Sequence, residues 1–559
     1  MKPRYPYGAV AVWCVGFFAL VPNMCAQEAT APKHIGVPQD WSQKHIVFSR
    51  DALAQHPDLI YREPRILHQA MQRWQAPNSD VFHGAEPLPA SVNNSGHGDW
   101  NMYLGGGGRI APNMFPAKFS FDPAAPPDCN NDYVVLGLTA IGVTGGQANL
   151  VAFNHLYAGT GGLCGAAPTV LFAYNITTVA DGRISTSPVL SEDGTKIAFV
   201  ESVPGTTPPL AIFHVLTWTR GQGTIAAAAA PASMTSLTFS PTANSTRSSP
   251  WVDYIDDIAY LGADNGKLYK ITGVFKGTPT LAATPWPVTV SPNSRLTSPV
   301  LDAGLGMLMV GSGDGNLYQI NTATGALASP LVVGLNNGGD AGIVAAPIVD
   351  VTNFTTFVVS SNGASSAPSG FSAVLVQADT LSNTELSRNP IGLGSSGGAV
   401  LFLYEPAFTN QYFTNPSNGD IRLCGTGDAD TTPWQYSFGF IGRIMRTTIS
   451  SRAQLLTSTA ARCTEWTEFF NPNVGAGGTD FFFFGLTQDC TAPGTGTADG
   501  CVWARSSNGA TTTNKMATVT GGPSGIVVDN YSTARQASSI YLCAAGEDTA
   551  YKFIQNTLK

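Results

Sequence analysis

The chain has 559 residues, a formal net charge of −8, 60 glycines and 38 prolines, with 12% of its residues charged and 10% aromatic. This composition excludes a disordered chain, which would carry more charge and fewer aromatic residues, and it favours an all-β protein with many turns. Acidity also argues against nucleic acid as a partner, because neutralising phosphates requires clustered Lys and Arg.

Residues 1–26 have the layout of a secretory signal peptide, with a basic start, an apolar segment over 9–21 and a cleavage site after Ala26. The apolar run is too short for a comfortable membrane span, and no other segment of the sequence is predicted to cross a membrane. Lipid attachment at Cys25 is an alternative, but the residues before it are not the small ones that this modification requires. The sequence therefore predicts a soluble protein secreted to the periplasm or the cell exterior.

Residues 27–98 are predicted to form an extension before the main domain. The segment 64–74 has apolar residues at helical spacing, and six of the eight histidines lie between His34 and His97. We expect one or two short helices here, packed on the domain that follows.

From residue 99 to residue 559 one pattern recurs: a short strand after Ser-Pro or Ala-Pro, an apolar strand ending in Gly or Ser, a tight turn and a third strand. The clearest copy begins at Leu296 and contains "LTSPVLD", "MLMVGSGDG" and "NLYQINTATG". The eight copies are anchored at Pro116, Pro188, Pro250, Pro299, Pro347, Pro406, Pro472 and Gly525. A period near 50 residues with about four short strands is typical of a β-propeller blade.

The predicted fold is therefore an all-β propeller of eight four-stranded blades, with seven blades as the alternative. Proline cannot donate to a β-ladder, so the anchor prolines belong on the strand edge that faces the central channel. The last copy contains only three strands. The segment 99–106 could supply the fourth, which would close the ring and remove open edges.

Seven cysteines remain after the predicted cleavage, and export would place them in an oxidising compartment. The predicted disulfides are Cys490–Cys501 and Cys129–Cys164. Cys424 and Cys543 lie in apolar strands and are interpreted as buried small residues. An odd number leaves at least one thiol free or paired between molecules, and the spacing does not indicate a zinc site.

Two glycine-containing motifs are interpreted as turns or linkers. Asp314-Gly315 and Asn265-Gly266 each lie between apolar strands, where a two-residue hairpin turn with positive φ at both positions is expected. Neither is followed by the Lys of a phosphate loop or by the spaced acids of a calcium loop. The "GSSGG" motif at 394–398 matches a nucleophile elbow, but no histidine follows His214 to complete its triad.

An aspartate recurs at the end of the predicted innermost strands. These residues are Asp253, Asp302, Asp350 and Asp529. They could form a cation-binding ring at one mouth of the channel, but aspartate commonly caps its own turn, and we favour that interpretation. The densest acidic group, "VDYIDD" at 252–257, is interpreted as a solvated loop.

His155 and His214 are the only histidines of the predicted propeller and are interpreted as strand residues without a catalytic role. Five tryptophans could line a sugar- or peptide-binding face, although packing between blades is the simpler expectation. They are Trp251, Trp286, Trp434, Trp466 and Trp503.

The unit "GSGDGNLYQINTATG" resembles the repeat of quinoprotein-like (PQQ-like) and WD40-like propellers, which include quinone-dependent alcohol dehydrogenases and non-catalytic scaffolds such as outer-membrane assembly factors. The whole pattern from Asp40, with "DWS" and "FPAKFSFD", looks like a family of secreted bacterial propellers and implies no particular activity. The enzyme branch is not supported: Thr324-Gly325 is followed by Ala326 without the docking Trp, and the adjacent cysteine pair is missing.

These observations predict an exported, non-catalytic propeller that acts as a binding or scaffold protein at or outside the cell envelope, for an unidentified protein or glycan ligand. An adhesin or cell-surface assembly component is a related possibility. The alternative is a quinone- or metal-dependent enzyme with its site in the channel, which rests on fold analogy alone. The sequence offers no catalytic, cofactor-binding or metal-ligating residue, and no cofactor is predicted.

Overall fold

The structure is a computed structural model. It describes residues 36–49, 62–73, 97–123, 125–159, 161–203, 210–240, 246–336, 342–363, 373–394, 401–471, 477–491, 496–507, 514–530 and 538–554. The predicted signal peptide and residues 395–398 of the "GSSGG" motif lie outside this part of the chain.

The described strands form eight sheets in which neighbours along the chain pair antiparallel, and each sheet is one blade of a propeller. From the channel outward, blade 1 contains Ala117–Ser120, Tyr133–Gly137, Leu150–Asn154 and Thr169–Tyr174. Blade 2 contains Val189–Leu190, Arg183–Ile184, Lys196–Val203, Leu210–Thr217 and Met234–Ser240. Blade 3 contains Trp251–Asp253, Ile258–Gly262, Lys267–Thr272, Thr280–Leu281 and Val288–Thr289. Blade 4 contains Val300–Asp302, Met307–Gly311, Asn316–Asn321 and Leu331–Val332.

The second half of the ring has the same plan. Blade 5 contains Ile348–Asp350, Thr355–Ser360, Val374–Asp379 and Thr384–Pro390. Blade 6 contains Ala407–Phe408, Asp420–Thr426, Pro433–Ile441, Ile444–Met445 and Ser451–Gln454, with helix Asn410–Thr414 and the 3₁₀ turn Pro416–Asn418 between its first two strands. Blade 7 contains Thr467–Asn471, Thr479–Leu486, Cys501–Ser506 and Asn514–Thr518. Blade 8 contains Val527–Asp529, Ser539–Cys543, Thr549–Ile554 and His97–Tyr103. The prediction of eight blades is confirmed, and the seven-blade alternative is wrong.

The outer strand of blade 8 comes from the beginning of the domain. His97–Tyr103 pairs antiparallel with Thr549–Ile554, so that Asn101 lies opposite Tyr551. The two ends of the described ring therefore share one sheet, in the place that the repeat pattern predicts for segment 99–106.

Six of the predicted anchor prolines directly precede an innermost strand, as expected for a residue without an N–H donor at a channel-facing edge. The anchor at Pro472 is wrong, because the innermost strand of blade 7, Thr467–Asn471, ends before that proline, which itself lies outside the described residues. Trp466 takes the corresponding position.

Hydroxyl side chains tie successive blades together around the channel. The amide of Phe115 donates to Ser187 Oγ at 2.9 Å, the amide of Ser187 donates to Ser249 Oγ at 2.9 Å, and the amide of Ser249 donates to Ser298 Oγ at 2.8 Å. These serines precede the anchor prolines of blades 2, 3 and 4. The serine of the Ser-Pro motif is therefore favoured both by its small side chain and by its hydrogen bond to the neighbouring blade.

The core lies between the blades. All eight residues of Thr479–Leu486 are buried, as are all six of Thr355–Ser360, because both faces of each strand pack on a neighbouring sheet. Trp251, Trp286 and Trp466 are buried in this core, while Trp434 and Trp503 are half-buried. The expectation that tryptophans pack between blades is confirmed for the three buried ones.

The predicted disulfides Cys129–Cys164 and Cys490–Cys501 are confirmed. A third joins Cys424 to Cys463, with a Cα–Cα distance of 6.1 Å, so the interpretation of Cys424 as an unpaired buried residue is wrong. Its partner lies 39 residues further along the chain, and only the folding of blade 6 brings the two together. Cys543 is a free, buried thiol, as interpreted from the sequence.

No helix among the described residues is long and apolar enough to cross a membrane.

Candidate functional site in the central channel

The described part of the predicted extension, residues 36–49 and 62–73, lies inside the ring and not merely on it. Val37–Gln39 pairs antiparallel with the innermost strand of blade 1, and Ile46–Val47 pairs parallel with the innermost strand of blade 5. In an eight-bladed ring these two blades face each other, so the chain crosses the channel between Gln39 and Ile46. The innermost strands each offer a free edge, and the extension pairs with two of these edges.

The crossing segment is a 3₁₀ turn, Trp41–Lys44, that fills the channel axis. Asp40 caps it by accepting from the amide of Ser42 at 2.9 Å. Trp41 is buried, its Nε1 donates to the carbonyl of Pro250 at 3.2 Å, and its ring meets Trp251 edge-on. The "DWS" motif therefore starts the turn and anchors it to blade 3.

A helix, Pro64–Arg73, follows and confirms the predicted amphipathic helix. Arg65 is buried, donates from Nη2 to the carbonyl of Val252 at 2.8 Å and from Nε to Ser42 Oγ at 2.7 Å, and pairs with Glu63 at 3.0 Å. Its guanidinium lies 4.0 Å from the ring centre of Trp251. A buried cation must have its partners supplied by the protein, and Arg65 has them from both the extension and blade 3.

A cluster of polar side chains around Glu405 occupies the centre of the channel. Lys44 Nζ lies 3.4 Å and His45 Nε2 3.2 Å from the same carboxylate oxygen of Glu405. His45 Nδ1 is also 3.0 Å from the carbonyl of Pro347. Burial alone would raise the pKa of Glu405, but the effect of Lys44 and His45 is larger. Together they lower this pKa from its usual value of 4.5 to about 2.

A second carboxyl, Glu465, is completely buried near this cluster, and neither of its oxygens has a hydrogen-bond partner among the described residues. Burial raises the pKa of Glu465 to about 7, against the opposing charge of Lys44. The cluster thus holds one firmly ionised carboxylate and one that is partly protonated near neutral pH.

Two cavities lie on either side of the crossing segment. The inner cavity lies between helix Pro64–Arg73 and the innermost strands of blades 6, 7 and 8, and its empty volume of about 680 Å³ includes space open to solvent. Four buried polar side chains of its walls have an oxygen or amide nitrogen atom without a hydrogen-bond partner among the described residues. They are Gln39, Asp40, Gln43 and Glu468.

Two titratable groups of this cavity have strongly shifted pKa values. Burial raises the pKa of Glu468 to about 8, although Arg73, at 2.7 Å, acts to lower it. Burial, aided by Arg73 and Lys118, lowers the pKa of His68 to about 3.

The other cavity, here called the mouth cavity, has an empty volume of about 620 Å³, part of it open to solvent, at the end of the channel where the innermost strands begin. Its polar lining includes Asn113, Arg247, Arg295, Tyr404 and Glu405. Arg247 is exposed and Arg295 half-buried. The crossing segment forms its floor through Trp41 and His45.

The recurring aspartates act mainly as turn caps, as favoured from the sequence. Asp253 accepts from the amide of Ile255, Asp302 from that of Leu305, and Asp350 from those of Thr352 and Asn353. Asp529 differs, because its Oδ2 lies 2.7 Å from the buried Lys118 Nζ of blade 1. These four aspartates do not form a metal site. Among the described residues, no group of three or more His, Cys, Asp or Glu side chains is arranged as metal ligands would be.

The other predicted residues lie where turns and packing need them. Asp314 accepts from the amide of Asn316, and Gly315 has φ +93°. Only the glycines of the two predicted hairpins take positive φ, so the expectation of positive φ at both positions is wrong. His214 is buried against Glu201 at 2.9 Å. His155 follows its strand, at φ +53°, and contacts Asn130.

The charged residues of the channel were not predicted from the sequence. One signal was available: Arg247, Arg295 and Glu405 each lie within four residues before an anchor proline, in a sequence with few charges. A charged residue shortly before an anchor proline is therefore predicted to lie at the channel.

Comparison of the sequence with protein-family profiles and with curated proteins gave no match. Similar solved structures include BamB from Moraxella catarrhalis, with 13% identity over 82% of this chain and 98% of that chain and a TM-score of 0.40. The Dos1 propeller has 10% identity over 82% and 94% of the two chains and a TM-score of 0.48. Sqt1 from Saccharomyces cerevisiae has 10% identity over 83% and 100% and a TM-score of 0.45. These distant likenesses carry no information on function.

Proposed function

We propose that the protein is exported and acts at or outside the cell envelope as a non-catalytic binding or scaffold protein with a protein or glycan ligand. The observation that carries the proposal is the filled channel. Trp41, Lys44 and His45 occupy the axis on which the alternative prediction places a quinone or a metal. What remains are the two cavities on either side of the crossing segment and the loops of a closed ring, and loops held by a rigid scaffold are the usual location of binding sites.

Two features support export. The first 26 residues have the layout of a signal peptide. The three disulfides belong to an oxidising compartment, since thiols in the cytosol are kept reduced.

The filled channel also supports a binding role over a catalytic one. The side chains on the axis are fixed by contacts to blades 3, 5 and 6 through Pro250, Pro347 and Glu405. A large cofactor would have to displace these contacts and leave the Glu405 carboxylate buried without Lys44 and His45, at a cost of about 3–5 kcal/mol.

The test is expression of the full chain with its own N-terminus in an exporting host. Cell fractionation with N-terminal sequencing should find a mature protein outside the cytoplasm that begins near Gln27. Its absorbance spectrum and elemental content should show neither a quinone nor a stoichiometric metal, and immobilised protein should retain a defined ligand from glycan arrays or envelope extracts. A cytoplasmic product or a stoichiometric cofactor would overturn the proposal.

A further inference from the structure

We propose that the side chains of Lys118 and Asp529 join in an isopeptide bond, which links blade 1 covalently to blade 8 where the ring closes. This modification of the folded chain does not depend on which ligand the protein binds. An ammonium group and a carboxylate condense to an amide and one water molecule, so the reaction requires no oxidant and no co-substrate.

The seam between the first and the last blade contains two buried lysines, each paired with an aspartate. Lys118 Nζ lies 2.7 Å from Asp529 Oδ2, and Lys552 Nζ lies 2.6 Å from Asp99 Oδ2. Both lysine side chains are 0% exposed, and the two aspartates are 3% and 5% exposed. Taking charges out of water is costly even when they are paired. Conversion of one of these ion pairs into a neutral amide therefore removes a desolvation cost from the seam.

The two pairs differ in geometry. Lys552 Nζ donates a hydrogen bond to Asp99 Oδ2. The contact between Lys118 Nζ and Asp529 Oδ2 does not have hydrogen-bond geometry, and this oxygen has no hydrogen-bond partner among the described residues. Since the C–O bond adds only about 1.2 Å, Lys118 Nζ lies within about 4 Å of Asp529 Cγ, close to the separation of about 3–3.5 Å from which positioned groups react. Lys118 is therefore placed as a nucleophile beside the carboxyl group, whereas Lys552 is held as an ion-pair partner.

Blade 1 also provides a route for the proton that the amine must lose. Lys118 Nζ lies 3.3 Å from the hydroxyl group of Tyr157, which donates to Asp132 Oδ2 at 2.6 Å. All three side chains are buried. Burial raises the pKa of Asp132, although Lys118 acts to lower it. This carboxylate therefore accepts a proton more readily than an exposed aspartate does.

The atoms and protons of the condensation balance. The Lys118 ammonium group gives one proton to the Asp529 carboxylate, and the lone pair of the resulting amine attacks Cγ. The attacking nitrogen gives a second proton through the Tyr157 hydroxyl group to Asp132. Asp132 returns this proton by the same route to a hydroxyl group on Cγ, which leaves as water while the new C–N bond remains.

The folded ring supplies what an activated carboxyl group would otherwise provide. Groups held in a reactive arrangement behave as if present at effective concentrations of about 10⁵–10⁸ M. The ring is also closed by the pairing of His97–Tyr103 with Thr549–Ile554. The isopeptide bond would add a covalent closure between the first and the last blade, and, like a disulfide over a long loop, it would restrict the unfolded chain.

The test is mass spectrometry of the full chain after purification from an exporting host, reduction and denaturation. The intact mass should be lower by one water molecule than the sequence requires, and a protease digest should contain one cross-linked peptide that joins Lys118 to Asp529. Asp529→Asn should form the same bond with loss of ammonia in place of water. Lys118→Arg, which retains the charge, should have an unaltered mass. Tyr157→Phe should be isolated mainly without the bond, because it lacks the relay hydroxyl group.

Lys552→Arg is the matched control, because it changes the hydrogen-bonded lysine of the same seam; it should retain the bond between Lys118 and Asp529. Circular dichroism would verify that each variant folds, and Asp529→Asn provides the decisive mass if Lys118→Arg does not. An unaltered mass of the folded wild type, a loss of water without the cross-linked peptide, or a link between Lys552 and Asp99 would overturn the proposal. Equal linkage in Tyr157→Phe and wild type would overturn the assigned relay.

Discussion

The amide of Ser249 donates a 2.8 Å hydrogen bond to Oγ of Ser298, the serine at the equivalent position of the next blade. Both residues precede an anchor proline, and both are buried. The contact repeats between blades 2 and 3 through Ser187 and Ser249. The sequence motif that defines the repeat thus also joins one repeat to the next.

Replacing Ser298 by alanine should lower the free energy of unfolding by about 1–3 kcal/mol, because the buried amide of Ser249 would lose its acceptor. Urea denaturation would measure the difference. Ser329→Ala, at an exposed position between the third and fourth strands of the same blade, should change stability by less than about 0.5 kcal/mol. Equal effects of the two substitutions would show that the bond between blades contributes nothing.

Arg65→Met should release the extension from the channel. The substitution removes the bonds to Val252 and Ser42 and leaves Glu63 without its partner, which should cost about 3 kcal/mol. Limited proteolysis followed by mass spectrometry should find faster cleavage within residues 36–73. The control is Arg62→Met, three positions earlier and exposed. If both variants are cleaved at the wild-type rate, Arg65 does not hold the extension.

Glu468 should make stability depend on pH near neutrality. Its pKa is about 8 in the folded protein and 4.5 in the unfolded chain, so the folded state binds more protons between these values. Stability should therefore fall as pH rises through this window, by on the order of 1 kcal/mol per pH unit. Thermal unfolding between pH 6.5 and 8 should show a shallower fall for Glu468→Gln than for the wild type.

Two neighbouring groups set the range of that experiment. His68, with a pKa of about 3, acts with the opposite sign below pH 6.5, since its folded state binds fewer protons there. Glu465, with a pKa of about 7, acts in the same direction as Glu468 and leaves part of the slope in the variant. Glu385→Gln, at a surface pair with Arg388, should retain the wild-type slope. An unchanged slope in Glu468→Gln would contradict the expectation.

The thiol chemistry of the mature protein should show three disulfides and one unreactive cysteine. Burial raises the pKa of the Cys543 thiol to about 12, and alkylation requires the thiolate and access to it. Peptide mapping of the native protein should find Cys424 linked to Cys463 and no alkylated cysteine, whereas unfolding in denaturant without reductant should expose one. Rapid alkylation of the native protein would contradict the buried position of Cys543.

Much of the architecture could be predicted from local signals. Prolines before the innermost strands, apolar second strands and Asp-Gly or Asn-Gly turns repeat because every blade meets the same surroundings. Eight copies therefore gave eight blades, and the incomplete last copy indicated which segment pairs with Thr549–Ile554. Cys490 and Cys501 could be paired because only a short loop separates them.

The channel was decided by tertiary structure alone. Lys44 belongs to the extension, far from both glutamates along the chain, whereas Glu405 and Glu465 belong to the neighbouring blades 6 and 7. Closure of the ring brings the three together. Cys424 and Cys463 meet for the same reason. The sequence of the extension predicts a helix, but it does not predict where the extension lies. The strand edges with which the extension pairs become available only once the ring is assembled. The sequence by itself determined the repeating unit, and the closed ring determined which non-repeating residues face one another across its axis.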